Sequence, residues 1–196
     1  MPALNDLAQL GQRVAATHGW AAARAFKAYT WSEQDQAGIA ACASDILKLF
    51  PPSADNASLL TATLAFQLQR RVGAPIYLVA GTLSVGGVAV RSGRFPSDGS
   101  SPFAAGAPAW PGHLWIMAGP NVIDAAIFRL ANSPDCPPVL ARHVHSVFGP
   151  DKGLYADHWR QSRRQGLEYD PQYVLSQPDM DALLATAYGL INDSKA

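Results

Sequence analysis

Three side chains in this sequence have the types and setting for nucleophilic catalysis: Ser58, His113 and Asp124. Ser58 opens the apolar run "SLLTATLAFQL", which reads as a helix. At a helix N-terminus, partial positive charge and free backbone N–H groups stabilise an anionic nucleophile or an oxyanion. His113 begins "HLWIMA" and Asp124 sits in "VIDAAI", both strand-like. A histidine on one strand can serve as base, and a carboxylate on the next can fix its tautomer. A carboxylate in so apolar a strand needs a partner. The chemistry would be attack on a carbonyl.

Whether His113 can meet Asp124 depends on the turn around Gly119-Pro120-Asn121. A two-residue loop (Gly119-Pro120) or a four-residue loop (Ala118 to Asn121) pairs His113 opposite Ala126. Asp124 then lies diagonally across on the same face, roughly 7–8 Å away between backbone positions. A three-residue loop would place the two on opposite faces. Proline at the second position of "GPNV" favours the four-residue loop.

The elements that must carry these residues follow from periodicity. Leu4, Leu7, Leu10 and Val14 predict a helix over residues 3–18 that stops at Gly19. Thr30 or Ser32, each with an acid three residues on, starts a second helix that Pro51-Pro52 ends. A third spans residues 57–72 and is apolar around most of its circumference. "PIYLVAGTLSV" and "VAVR" form a hairpin across Gly86-Gly87. Residues 92–112, rich in glycine, proline and serine, are a long loop beside His113, placed to act as an active-site cover. "PPVLARHVHSVFG" fits a short strand or a helix, "YADHWRQSRRQG" is polar and helix-compatible, and "SQPDMDALLATAYGLI" is a terminal helix. Helices first and an antiparallel sheet after them give an α+β fold in one domain, residues 1–196.

The sequence resembles the transglutaminase-like branch of the papain-like cysteine proteinase superfamily. Ser58, Ala62, "GAP" at 73–75, "GHLW" at 112–115 and Asp124 fall where that pattern has its nucleophile, a following alanine, a turn into the first strand, the histidine strand and the aspartate. The resemblance covers residues 55–127. It implies a helical N-terminal part, a central buried helix packed on an antiparallel sheet, and acyl transfer or amide hydrolysis without a cofactor. Substrates would be a peptide, a protein or a small amide or ester, with Trp110, Trp115 and Phe103 as expected contacts. The departure is serine where the family has cysteine. A thiol can be driven to thiolate by a helix end and a histidine, whereas a hydroxyl needs concerted proton removal. A native serine variant, a degenerate pseudoenzyme and a replaced cysteine all fit. Cys42 lies inside the preceding helix, and Cys136 in a proline-rich loop.

Other readings stand beside this one. Ser58 could be a helix cap with Asp55 and Asn56. Phe95, Phe103 and Trp110 could serve a non-catalytic peptide- or protein-binding module on the same fold. His143 and His145, if on a strand, would share a face as metal ligands, but no third ligand stands at a recognisable spacing. Composition narrows the classes. Hydrophobic residues at 48% and charged ones at 15% indicate a packed globule. Fifteen basic and 15 acidic residues leave no net field to attract nucleic acid or an anionic membrane. Two cysteines make no disulfide framework, the N-terminal residues do not read as a secretory signal, and no apolar run suits a membrane span. A cytoplasmic setting is expected. Oligomeric state is not encoded in any of these features.

Overall fold

The computed structural model describes residues 3–96, 98–104 and 110–193, with side chains from Leu7 onward. Helix α1, Ala3–His18, buries Leu10 and Val14 on the predicted face, while the side chain of Leu4 lies outside the described part. Gly19 ends it with φ of 88° and opens α2, Trp20–Ala28, which the periodicity did not reveal. Five alanines in "WAAARAFKA" favour a helix but mark no face, and only Ala23 and Phe26 are buried. Ser32 and Asp35 form a reciprocal capping box at the start of α3, Glu33–Leu49. A 3-10 turn, Ala54–Asn56, then leads into α4, Ala57–Arg71. Arg129 fastens this corner by donating to the carbonyls of Leu47, Phe50 and Pro51.

Among the described residues six antiparallel strands form one sheet: β1 Ile76–Val85, β2 Val88–Arg91, β3 His113–Ala118, β4 Asn121–Asp124, β5 Tyr155–His158 and β6 Leu167–Val174. Their order is β2-β1-β3-β4-β5, with β6 on the other edge of β1. Gly86 and Gly87 adopt φ of 55° and 81°, as the tight β1–β2 hairpin requires. The β3–β4 turn has the two-residue form, since Ala118 pairs with Asn121. Gly119 takes a positive φ of 55° at its first position, which outweighs the preference of Pro120 for a longer loop. β6 was not foreseen, because Pro171 interrupts "LEYDPQYV". The strand accommodates it at a bulge opposite Ala80 and Gly81. Gly81 has to be glycine, since the Asp170 carbonyl and the Trp115 ring occupy the space of a Cβ.

Alternation along the strands gives the sheet two covered faces. Leu78, Ala80, Leu114, Ile116 and Ile123 pack with α3, α4 and α8, Gln177–Asp193. Val79, Leu83, Trp115, Met117 and Val122 pack with α1, α2 and three short helices: α5 Ile127–Ala131, α6 Pro138–Phe148 and α7 Trp159–Arg164. The ambiguous "PPVLARHVHSVFG" segment is therefore the helix α6, and "YADHWRQSRRQG" divides into β5 and α7. In the described parts of 92–112 there is no helix or strand, and residues 97 and 105–109 of that expected loop lie outside the described residues. No helix among the described residues is long and apolar enough to cross a membrane.

Candidate functional site

His113 is the first residue of β3 and Asp124 the last of β4, and the hairpin register puts them on one face. His113 Nε2 lies 2.6 Å from Asp124 Oδ2, with the side chains 2% and 0% exposed. Tyr169 Oη also donates to Oδ2, at 3.0 Å, and the backbone N–H groups of Ala126 and Ile127 donate to Oδ1 at 2.9 and 3.0 Å. Four donors thus fill the acceptor capacity of an ionised carboxylate, which makes its burial tolerable. An acceptor-only Asp124 holds the imidazole proton on Nε2. Nδ1 is left with its lone pair, the arrangement a general base needs. Tyr169 stays a donor across the working range: burial, and then the Asp124 charge, push its hydroxyl well above the ordinary value. The Trp115 ring stacks on His113 at 6.2 Å and meets Tyr169 at 5.3 Å, so the two side chains that share Asp124 Oδ2 are both packed against it.

Ser58 reaches the same place from the other side. Ala54 and Ala57 pack against the cluster that contains Trp115, while Leu59 and Leu60 belong to the opposite one. The N-terminus of α4 therefore stands at the end of the sheet where β3 begins. Ser58 is the second helical residue and half-buried. The local capping duty falls elsewhere: Ser53 Oγ accepts from the Asp55 N–H at 3.2 Å, and Asn56 is the N-cap without a side-chain bond. Ser58, His113, Asp55, Arg91, Trp110 and Leu130 line a cleft of about 460 Å³. Hydroxyl, imidazole and the first-turn amides of a 15-residue helix thus share one solvent-facing space.

The remaining expected residues separate. Trp110 borders the cleft, its indole wedged where any Cβ on Gly93 or Gly112 would collide with it. Phe103 and Trp115 were expected to touch substrate, but they are 0% and 1% exposed and do not border the cleft. Phe103 instead packs with Phe95, Trp110 and Tyr173, pinning the loop to the body. That cluster buries Phe103 and leaves Phe95 half-buried. His143 and His145 are two apart on a helix, so they diverge. His143 Nε2 is 2.7 Å from the Gln165 carbonyl and His145 Nε2 is 2.7 Å from Asn132 Oδ1. Among the described residues no group of three potential ligands could hold a metal ion. Cys42 is buried in α3, and burial raises the Cys136 thiol above its ordinary value.

Two further residues belong to the site, Tyr169 and Arg91. Tyr169 was hidden because its strand was, although the alternation of Leu167 and Tyr169 was available in the sequence. Arg91 ends the recognised "VAVR" strand, but only the register of β1 shows that it stands beside His113. Compared with models of protein families, with curated proteins and with solved structures, the chain finds no match.

Proposed function

We propose that the chain is an acyl transferase or amide hydrolase of the transglutaminase-like, papain-like type, acting through Ser58, His113 and Asp124. Ser58 Oγ attacks the substrate carbonyl while His113 Nδ1 takes the hydroxyl proton. The imidazolium, steadied by Asp124, then returns that proton to the leaving amine or alkoxide. Water or a second nucleophile resolves the acyl-enzyme by the same route in reverse. The oxyanion meets the amide of Ser58 at the positive end of α4. The observation that carries this reading is the 2.6 Å His113–Asp124 bond at the edge of a cleft that Ser58 also lines. Substrates are peptides, proteins or small amides and esters.

Serine at this position favours a second reading, a cleft that binds a peptide or protein without turning it over. A hydroxyl cannot form the ion pair around which thiol sites of this type are arranged. The two readings part in one experiment. Ser58→Cys is treated with iodoacetamide across a pH series, and peptide mapping separates position 58 from Cys42 and Cys136. Fast alkylation at position 58 well below pH 8, abolished by His113→Ala, supports the catalytic arrangement. A rate no faster than that of a free thiol, whose pKa is about 8.5, removes it and leaves the binding reading.

A further inference from the structure

We propose that Arg91 makes this cleft selective for substrates carrying a carboxylate a few bonds from the reacting carbonyl, an inference that rests on the acyl-transfer reading of the site. Arg91 ends β2 opposite Leu83 of β1, and His113 begins β3 opposite Gly81 of the same strand. The two are paired to one edge of β1 at positions two apart, so they project to one face with about 7 Å between their rows. The chain leaves the sheet after Arg91 and returns at His113, so the 92–112 excursion opens and closes at this point. Gly81 between them has no side chain of its own, and the Trp115 ring fills the space a Cβ there would take.

The chemistry of Arg91 then decides what it does there. It is half-buried and lines the cleft with Ser58 and His113. Among the described residues Arg71 pairs with Asp45 and Asp124 is taken by the His113 imidazole, and Arg91 takes part in neither contact. Asp55 lines the same cleft but is exposed and accepts from the Ser53 hydroxyl at 3.0 Å. A guanidinium is permanently charged, and its planar fork of N–H groups matches a carboxylate in two parallel hydrogen bonds. Half-buried in the cleft wall, that charge is placed to receive an incoming carboxylate. With the carboxylate on Arg91, a chain of a few atoms places a carbonyl at the His113 row.

The test titrates the full chain with glutarate and, separately, with its neutral analogue glutaramide, following the side-chain resonances of His113 and Arg91 by NMR. Glutarate is expected to bind at least about tenfold more tightly, equivalent to about 1.4 kcal/mol. Arg91→Gln removes that preference, Arg91→Lys retains part of it, and Arg94→Gln, at an exposed arginine of the same loop, leaves it unchanged. Equal binding of the two probes, no saturable glutarate binding, or a preference that survives Arg91→Gln overturns the proposal. Ser58→Ala should keep the preference, because binding requires no attack. Carboxylate selectivity without fast alkylation of Ser58→Cys would therefore remove the acyl-transfer reading while leaving the anion site in place. Fast alkylation without selectivity would do the reverse.

Discussion

Tyr169 Oη donates to Asp124 Oδ2 at 3.0 Å from a strand on the far side of β1, so the aspartate is held by two separate parts of the sheet. β4 supplies the carboxylate and the start of α5 supplies two amides, while β6 arrives late in the chain with the last donor. The hydroxyl and the imidazole compete for one oxygen, which limits where the His113 ring can settle. Tyr169 is therefore a positioning residue.

Tyr169→Phe should keep the ring packed against Trp115 and lose only the donor. The buried oxygen then has one partner fewer, and urea unfolding should report a loss of about 1–3 kcal/mol. A structural role alone predicts no more. In the Ser58→Cys background, however, the alkylation rate at position 58 should also fall and its pH profile should move. Tyr155→Phe is the control, since its hydroxyl bonds Gln165 instead of the dyad. It should cost stability and leave the profile where it was. An unmoved profile in Tyr169→Phe would reduce that residue to packing.

The His113–Asp124 geometry was legible because strand side chains alternate strictly, so counting residues around Gly119-Pro120 gave the shared face before the loop length was known. Loop length itself was misread: proline favours a longer turn, but the positive φ available to Gly119 closes the shorter one. α2 and β6 were illegible for opposite reasons. The alanines of α2 carry no face, and Pro171 in β6 mimics a break that the bulge beside Gly81 absorbs. His143 and His145 could not be placed because a short apolar run fits either period, whereas the helix packs against both α5 and β1. Aromatic residues in a loop rich in glycine and proline looked exposed. Phe103 is buried because Phe95, Trp110 and Tyr173 close around it, a contact between segments far apart in sequence.

Asp179 gives the fold an acid-sensitive clasp at the head of α8. Burial alone would raise its carboxyl, but the hydroxyls of Ser101, Ser176 and Tyr173 and the Ser176 amide together hold it below the ordinary 3.8. A carboxyl depressed in the folded state stabilises the fold above its unfolded value, and that contribution fades as pH falls through the folded value. Asp179→Asn should thus cost about 1.5–3 kcal/mol near neutrality, the usual worth of hydrogen bonds to a charged group. The gap from the unsubstituted protein should narrow steadily below about pH 4. Urea midpoints measured at neutral pH and again in acid check this. A gap that stays constant with pH would mean the carboxylate charge contributes nothing here.

Asp124→Asn is the sharpest probe of the dyad, because it preserves shape and reverses one hydrogen-bonding instruction. The Ala126 and Ile127 amides require an oxygen, so the new NH₂ must face His113 and Tyr169. Imidazole can meet an N–H donor only by accepting at Nε2, which moves its own proton to Nδ1. That nitrogen can then no longer act as base towards position 58. Tyr169 loses its acceptor at the same time, so stability should drop by about 1–3 kcal/mol without loss of the fold. Nitrogen-15 spectra should show the His113 proton on Nδ1, and alkylation of the Ser58→Cys background should fall to the rate of an ordinary thiol. Fast alkylation persisting in the Asp124→Asn protein would mean that the tautomer set by Asp124 is irrelevant to reactivity at position 58. The proton route assigned to His113 would then have to be abandoned.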